Sequence, residues 1–371
     1  MRFQRVWLWL IGAAILAAPK PGQALPIYSR QFGVKCTACH VVPPALNNFG
    51  LAFKANFYNW PGKGGPKQKD LTKFFPVSGI AELSLEKSFT ENHTSADFRE
   101  LELFASSGFR LTDRFKGGFF LNTVAYTSDD AEKAGSIENA FVALPFAGKN
   151  GQFAVTAGQF MPFMYQWNPL TELTDSSPAA LEGPIFSRRG NEDYGFSFLG
   201  ASPGVRFDYF DRRGQGTADG NYLTVGIPFR GSLAFNDTSD WGGTNGVFVH
   251  GFRRWGWDSV GAFAYTYAGQ HLEGLVATHA VRPDLRLMGI GAIGHDREGS
   301  TRRLAVEAEY LPSPFLGFSG RLEVTGGSHD DVAPIFAVTY YPAKQHLVRL
   351  TGEVEERKGE RGFFLIGRGQ F

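Results

Sequence analysis

From about residue 75 to the C-terminus, apolar and polar side chains alternate in short segments with a period of two. That period puts successive side chains on opposite faces of a β-strand. It predicts strands over Gly79–Ser88, Arg99–Phe109, Lys116–Tyr126, Phe153–Phe160, Tyr194–Leu199, Val205–Phe210, Tyr222–Ile227 and Val247–Phe252. The series continues with Val260–Tyr267, Gly274–Ala280, Leu285–Ile293, Leu304–Tyr310, Phe318–Val324, Ile335–Tyr341, Leu347–Val354 and Gly362–Phe371. Turns such as Ser202-Pro203-Gly204, Arg282-Pro283-Asp284, Pro312-Ser313-Pro314 and Pro342-Ala343-Lys344 alternate with polar loops over His295–Thr301, Gly326–Asp331 and Glu355–Arg361. Short turns on one side and longer loops on the other are the pattern of an outer-membrane barrel. The expected fold is all-β: an antiparallel barrel of about 16–18 strands over residues 75–371, wide enough to enclose a water-filled lumen unless something plugs it.

The final strand agrees with this reading. Phe363, Leu365 and Phe371 share one face and Arg368 and Gln370 the other, with an aromatic residue at the very end. A soluble β-sandwich or propeller is the competing architecture, although no 20–50-residue repeat marks propeller blades. After residue 24, no apolar run approaches the ~18–20 residues of a spanning helix.

Residues 1–24 read as a secretory signal: Arg2 and Arg5, an apolar stretch from Val6 to Ala18, and a small-x-small site at Gly22-Gln23-Ala24. An N-terminal membrane anchor is the alternative. Cleavage of the signal would take three basic side chains and no acidic one, moving the formal net charge from +1 to −2. No basic excess then points to nucleic acid. With 15% aromatic residues and a charge near zero, the chain is not of disordered composition.

Residues 25–74 carry the chemistry. The two cysteines of the chain stand in Cys36-Thr37-Ala38-Cys39-His40. C-x-x-C-H is the attachment signature of c-type haem: two thiols bond the vinyl groups, and the adjacent imidazole is the proximal iron ligand. A redox disulfide is the alternative, but the βαβ pattern that would accompany it is missing. The expected cofactor is therefore one covalent haem c. A second axial ligand, Met or His, does not occur in residues 41–92. Remaining candidates are Met161, Met164, Met288 and the other histidines, with the mature N-terminal amine or Lys54 less apt. Met161 and Met164 lie in the long stretch Gln159–Gly190, expected on the extracellular side. An open sixth position would instead suit a haem enzyme.

The segment resembles a known family in Pro26, Ser29-Arg30-Gln31, Cys36-x-x-Cys39-His40, Pro44, Leu46, Phe49-Gly50, Phe53-Lys54 and Tyr58. These residues, the signal peptide and the barrel together resemble the fused outer-membrane monohaem cytochrome–porins, whose best-known members are iron oxidases of iron-oxidising bacteria. The chain departs from that pattern at Phe57, where the family has Gly, and in the linker Trp60-Pro61-Gly62-Lys63-Gly64-Gly65. The resemblance implies a location in the bacterial outer membrane and inward electron transfer from an extracellular donor, Fe(II), to a periplasmic c-type cytochrome.

A spanning band about 25 Å tall is too wide for one haem in a separate periplasmic domain. We therefore expect residues 25–74 to lie in the barrel as a plug, with Phe49, Phe53, Phe57 and Trp60 around the porphyrin and Arg30 and Lys54 at its propionates. Outer loops offer weak landing sites for a cation at Glu91 and His93, Asp129-Asp130 and Glu132, His295 and Asp296, and His329-Asp330-Asp331. The competing function is a porin-type solute channel in which the haem is a structural plug or a sensor.

Overall fold

The computed structural model describes residues 26–42, 45–61, 66, 76–110, 116–127, 137–147, 152–160, 202–211, 218–228, 246–267, 270–296, 299–327, 330–342, 348–357 and 360–370. Among them are two short helices, α1 (Pro26–Phe32) and α2 (Asn48–Ala55), and a small ribbon of β1 (His40–Val42) and β2 (Ala45–Leu46). The barrel strands follow. They are β3 (Val77–Ser88), β4 (His93–Arg110), β5 (Lys116–Thr127), β6 (Ile137–Ala147), β7 (Gln152–Phe160), β8 (Ser202–Phe210), β9 (Gly220–Pro228) and β10 (Gly246–Trp255). The remainder are β11 (Asp258–Tyr267), β12 (Gln270–Arg282), β13 (Leu285–Asp296), β14 (Gly299–Ser313), β15 (Leu316–Gly327), β16 (Asp331–Tyr340), β17 (Val348–Arg357) and β18 (Glu360–Gln370).

These sixteen strands of the described residues pair antiparallel, each with its neighbours in sequence, and β18 closes on β3 through Gly362↔Ser88 to Gln370↔Ile80. Closure removes both sheet edges, which backbone polar groups require in a lipid environment. No helix among the described residues is long and apolar enough to cross a membrane. Crossing is the work of the strands.

The alternation read from sequence appears as two faces. On β14, Leu304 and Val306 are each 49% exposed, while Ala305, Glu307 and Glu309 between and beyond them are fully buried. Leu275 on β12 and Phe336 on β16 are more exposed still, at 67% and 63%. Apolar side chains thus face outward and carboxylates inward, the reverse of a soluble sandwich. Such an outer surface is stable only against lipid.

Inward charges are paired. Arg321 reaches Glu307 at 3.4 Å and Glu323 at 2.7 Å, and Ser319 Oγ donates to Glu307 at 2.7 Å. Arg206 holds Asp208 at 3.0 Å. Glu82 lies between Arg99 and Arg368. Each such pair offsets the cost of removing charge from water.

The strands differ from the sequence pattern in four respects. First, β6 lies between Tyr126 and Phe153, where no alternation predicts a strand. Its two faces are both apolar, because Phe141 and Ala143 point inward onto other side chains and Val142 and Phe146 outward, and Pro145 adds a non-donor position. Second, β4 begins at His93 rather than Arg99. Pairing continues past the apolar band, so its first residues are polar on both faces. Third, Ser202-Pro203-Gly204 is the start of β8, paired with β7, and not a turn. Fourth, where loops are expected at His295–Thr301 and Glu355–Arg361, β13 runs on to Asp296 and β14 starts at Gly299, and β17 runs on to Arg357 and β18 starts at Glu360, so the charged residues there belong to the strands. The segments Tyr194–Leu199 and Phe371 lie outside the described residues.

With an even number of strands, β3 begins and β18 ends at the same rim, here the terminal rim. The opposite rim, here the loop rim, receives the longest connections, residues 161–201 and 229–245.

Candidate functional site at the plugged barrel mouth

Residues 26–61 lie across the terminal rim. α1 starts at Pro26, whose fixed φ suits a first helical position. It stops at Gly33, which takes φ +68° and donates its N–H to the Ser29 carbonyl at 2.7 Å, a left-handed glycine cap. The helix docks on the wall through three side chains. Tyr28 Oη and Ser106 Oγ are 2.6 Å apart, Gln31 Nε2 donates to Ser107 Oγ at 2.7 Å, and Arg30 Nη2 donates to the Val77 carbonyl at 2.5 Å. Burial, and Tyr58 beside it, push the Tyr28 phenol well above its usual pKa, so it stays a neutral hydrogen-bonding group. Burial also lowers the Arg30 pKa. Tyr28→Phe is expected to weaken plug docking by about 0.5–1.5 kcal/mol, one hydrogen bond's net worth. Faster limited proteolysis of residues 26–61 in detergent would register it.

The C-x-x-C-H segment is a single 3₁₀ turn, Cys36–Ala38, running into β1 at His40. One residue organises it. Asn47 is the N-cap of α2, with its Oδ1 accepting from Gly50 N at 2.8 Å. Its Nδ2 donates to the Ala38 and Thr37 carbonyls at 3.1 and 3.3 Å, and its N–H donates to the Cys39 carbonyl at 2.9 Å. Successive carbonyls of the turn are thus satisfied by one asparagine. Gly50 lets α2 come this close: a Cβ there would stand 2.0 Å from the Cys39 carbonyl oxygen.

α2 buries Leu51, Ala52, Phe53 and Ala55. Lys54, half-buried, sits in its last turn, where the helix dipole favours a cation. Beyond the helix, Phe57 and Tyr58 take φ of 52° and 61°. A glycine would adopt that backbone freely. A side chain there costs about 1–2 kcal/mol, and burying the phenyl ring returns about 1.5–3 kcal/mol; Phe57 is 1% exposed. The turn rests on two wall glycines. A Cβ on Gly118 would meet the Phe57 oxygen at 2.3 Å, and one on Gly108 the Tyr58 oxygen at 2.6 Å. Asn59 Nδ2 donates to the Gly117 carbonyl at 2.8 Å and locks it.

The far side of the mouth is reached through Asn48, whose Oδ1 accepts from Ala218 N at 2.9 Å and whose Nδ2 donates to Asp219 at 3.3 Å. Leu46 and Leu51 face Arg254, Trp257, Arg286 and Met288 across a cavity of about 30 Å³. The plug is therefore bonded to β3–β5 and to the connection just ahead of β9, and it faces β13 across the cavity, points that are not neighbours in the ring.

Of the residues expected around a haem, Cys39 and His40 are half-buried on the turn. Phe53 is buried in the plug, its ring 5.1 Å from Tyr28 and 5.5 Å from Phe32, and Phe49 packs on Trp60 at 4.8 Å. Met161 and Met164 lie outside the described residues. The attachment set fits haem c in kind and order: two thiol-bearing positions on a backbone-satisfied turn, with an imidazole next in line. The cavity at Met288 holds about one water, not a porphyrin, so it is not assigned to the haem. Asn47, Asn48, Asn59 and the wall partners were missed by sequence reasoning. An Asn three residues ahead of Gly50 is a cap signal, but the carbonyls it serves come from an earlier turn.

Glu91 and His93 are exposed at the loop rim. Among the described residues, no three or more His, Cys, Asp or Glu side chains come together as a metal group.

The barrel is similar to solved porins. It matches the OmpF porin of Salmonella typhi, in complex with daunomycin, with a TM-score of 0.58 at 13% identity, over 80% of this chain and 97% of that one. An anion-selective porin from Comamonas acidovorans gives 0.56 at 14% identity, over 80% and 98%. No family model and no curated protein matches the chain. The fold is that of a porin-like sixteen-stranded barrel, typical of bacterial outer-membrane proteins.

Proposed function

We propose that the protein is an outer-membrane porin-type channel held shut at its periplasmic mouth by residues 26–61. In this reading the plug carries one haem c on Cys36 and Cys39, with His40 as iron ligand, as a structural or sensing element. The observation that carries it is that α1, α2 and the turn after them are bonded to β3–β5 on one side of the mouth and to the connection ahead of β9 on another. The rule of short periplasmic turns and long outer loops puts the terminal rim in the periplasm.

A second reading is favoured by the C-x-x-C-H turn lying in the mouth rather than in a detached domain. The bound haem would supply a one-electron Fe(III)/Fe(II) couple there. Arg30 and Lys54 would be the plug cations that neutralise its propionates. The chain would then pass electrons from an extracellular donor to a periplasmic c-type cytochrome as an oxidoreductase. A spanning band about 25 Å tall separates that mouth from the outer surface, so the donor would have to descend the lumen. Hydrated Fe(II) is small enough for this; a protein donor is not.

Two measurements on the protein in detergent decide between the readings. Haem-stained denaturing gels should show covalent haem in the wild type and none in Cys36→Ala/Cys39→Ala. A wild type without stain removes the haem from both. Rapid reduction of the haem by anaerobic Fe(II) favours electron transfer. Reduction by dithionite alone leaves the plugged channel.

A further inference from the structure

We propose that His271 and His295 form a binding site for a divalent transition-metal cation on the outer wall, at the loop rim. The two are direct partners in the β12–β13 ladder, and their rings stack 6.3 Å apart at 20°. Both are exposed. Opposed positions in an antiparallel ladder hold their Cβ atoms about 4.5–5.5 Å apart, so small rotations about χ1 and χ2 aim one nitrogen of each ring at a shared point.

The site stands above the apolar band. Two residues below His295 on the same face is Ile293, 55% exposed, and four below His271 is Leu275, 67% exposed. At about 3.4 Å per residue, the imidazoles clear the lipid-facing side chains by roughly one to two strand repeats and meet water. Imidazole suits Zn²⁺, Cu²⁺, Ni²⁺ and Fe²⁺, whereas Mg²⁺ and Ca²⁺ prefer oxygen. No third protein ligand joins the pair among the described residues, so water completes the coordination and exchange is fast. A cation here would also tie the loop-side ends of β12 and β13 together.

The test uses full-length protein without a histidine tag, titrated with Cu²⁺ at neutral pH and read by electron paramagnetic resonance. The expected result is one site per chain with hyperfine structure from two imidazole nitrogens. His271→Ala or His295→Ala should each weaken it by about tenfold or more, the scale of a lost contact at a metal centre. His279→Ala, which removes an exposed histidine paired with Asp258 at the other rim, should leave it intact. A two-imidazole signal that survives both substitutions overturns the site, as does a wild type that binds no tighter than the double variant. Both substitutions are on the surface, and the heat-dependent gel mobility of the barrel verifies folding.

Discussion

Deleting residues 26–61 is expected to raise conductance in planar bilayers by at least about an order of magnitude, from a nearly closed channel to an open one. A barrel of sixteen strands encloses an aqueous channel when nothing fills it. Here α1, α2 and the Phe57-Tyr58 turn cross the terminal rim, and the wall residues they touch are suited to them. Gly108 and Gly118 leave room for backbone, Ser106 and Ser107 pair with Tyr28 and Gln31, and Asp219 pairs with Asn48. None of those contacts is needed to close the strand ladder, which runs unbroken from β3 to β18. The deleted barrel should therefore still assemble. Gly118→Leu tests the same point with the chain intact, because its Cβ would collide with the Phe57 carbonyl and lift the plug off β5. Equal conductance in wild type, deletion and Gly118→Leu would show that the plug does not control the lumen.

Gly50→Val is expected to unseat α2 from the Cys36–Ala38 turn. A Cβ 2.0 Å from a backbone oxygen is far inside contact distance, and neither partner is a flexible side-chain end. Overpacking usually costs about 1–3 kcal/mol and occasionally more. Separation of helix and turn would also forfeit the Asn47 bonds, at about 1 kcal/mol each, so the turn loses its form altogether. The expected results are rapid proteolysis within residues 26–61 and, if haem is attached there, a sharp drop in haem-stained protein with the barrel still heat-modifiable. Asn47→Ala should act in the same direction and more weakly. A Gly50→Val protein with wild-type protease resistance and haem yield would show that the tight approach of α2 has no role in the site.

The barrel was legible in the sequence because alternation is a local property. Each strand reports its two environments every second residue, and both lipid and lumen run the length of the wall. Legibility failed where a face changed its environment. β6 shows no alternation because its inner face meets packed aromatic rings, with Phe141 stacked on Phe120 at 5.8 Å, so both faces are apolar. The first residues of β4 and the ends of β13 and β14 are polar and loop-like in composition, yet are held in strands by partners across the ladder.

The chemistry divides in the same way. Spacing alone singled out Cys36, Cys39 and His40, since a C-x-x-C-H signature is defined by positions adjacent in sequence. Their surroundings depend on residues distant in sequence: Asn47 closing the turn, Gly118 admitting Phe57, and Ala218 and Asp219 receiving Asn48 from 170 and 171 positions away. The sequence by itself determined that the chain is a lipid-facing barrel with a C-x-x-C-H motif ahead of it, because period and motif are short-range. Only the tertiary structure decided that the motif's segment lies across the mouth of that barrel and which rim it occupies. Those facts follow from ring closure and from side chains that meet only once the ring has closed.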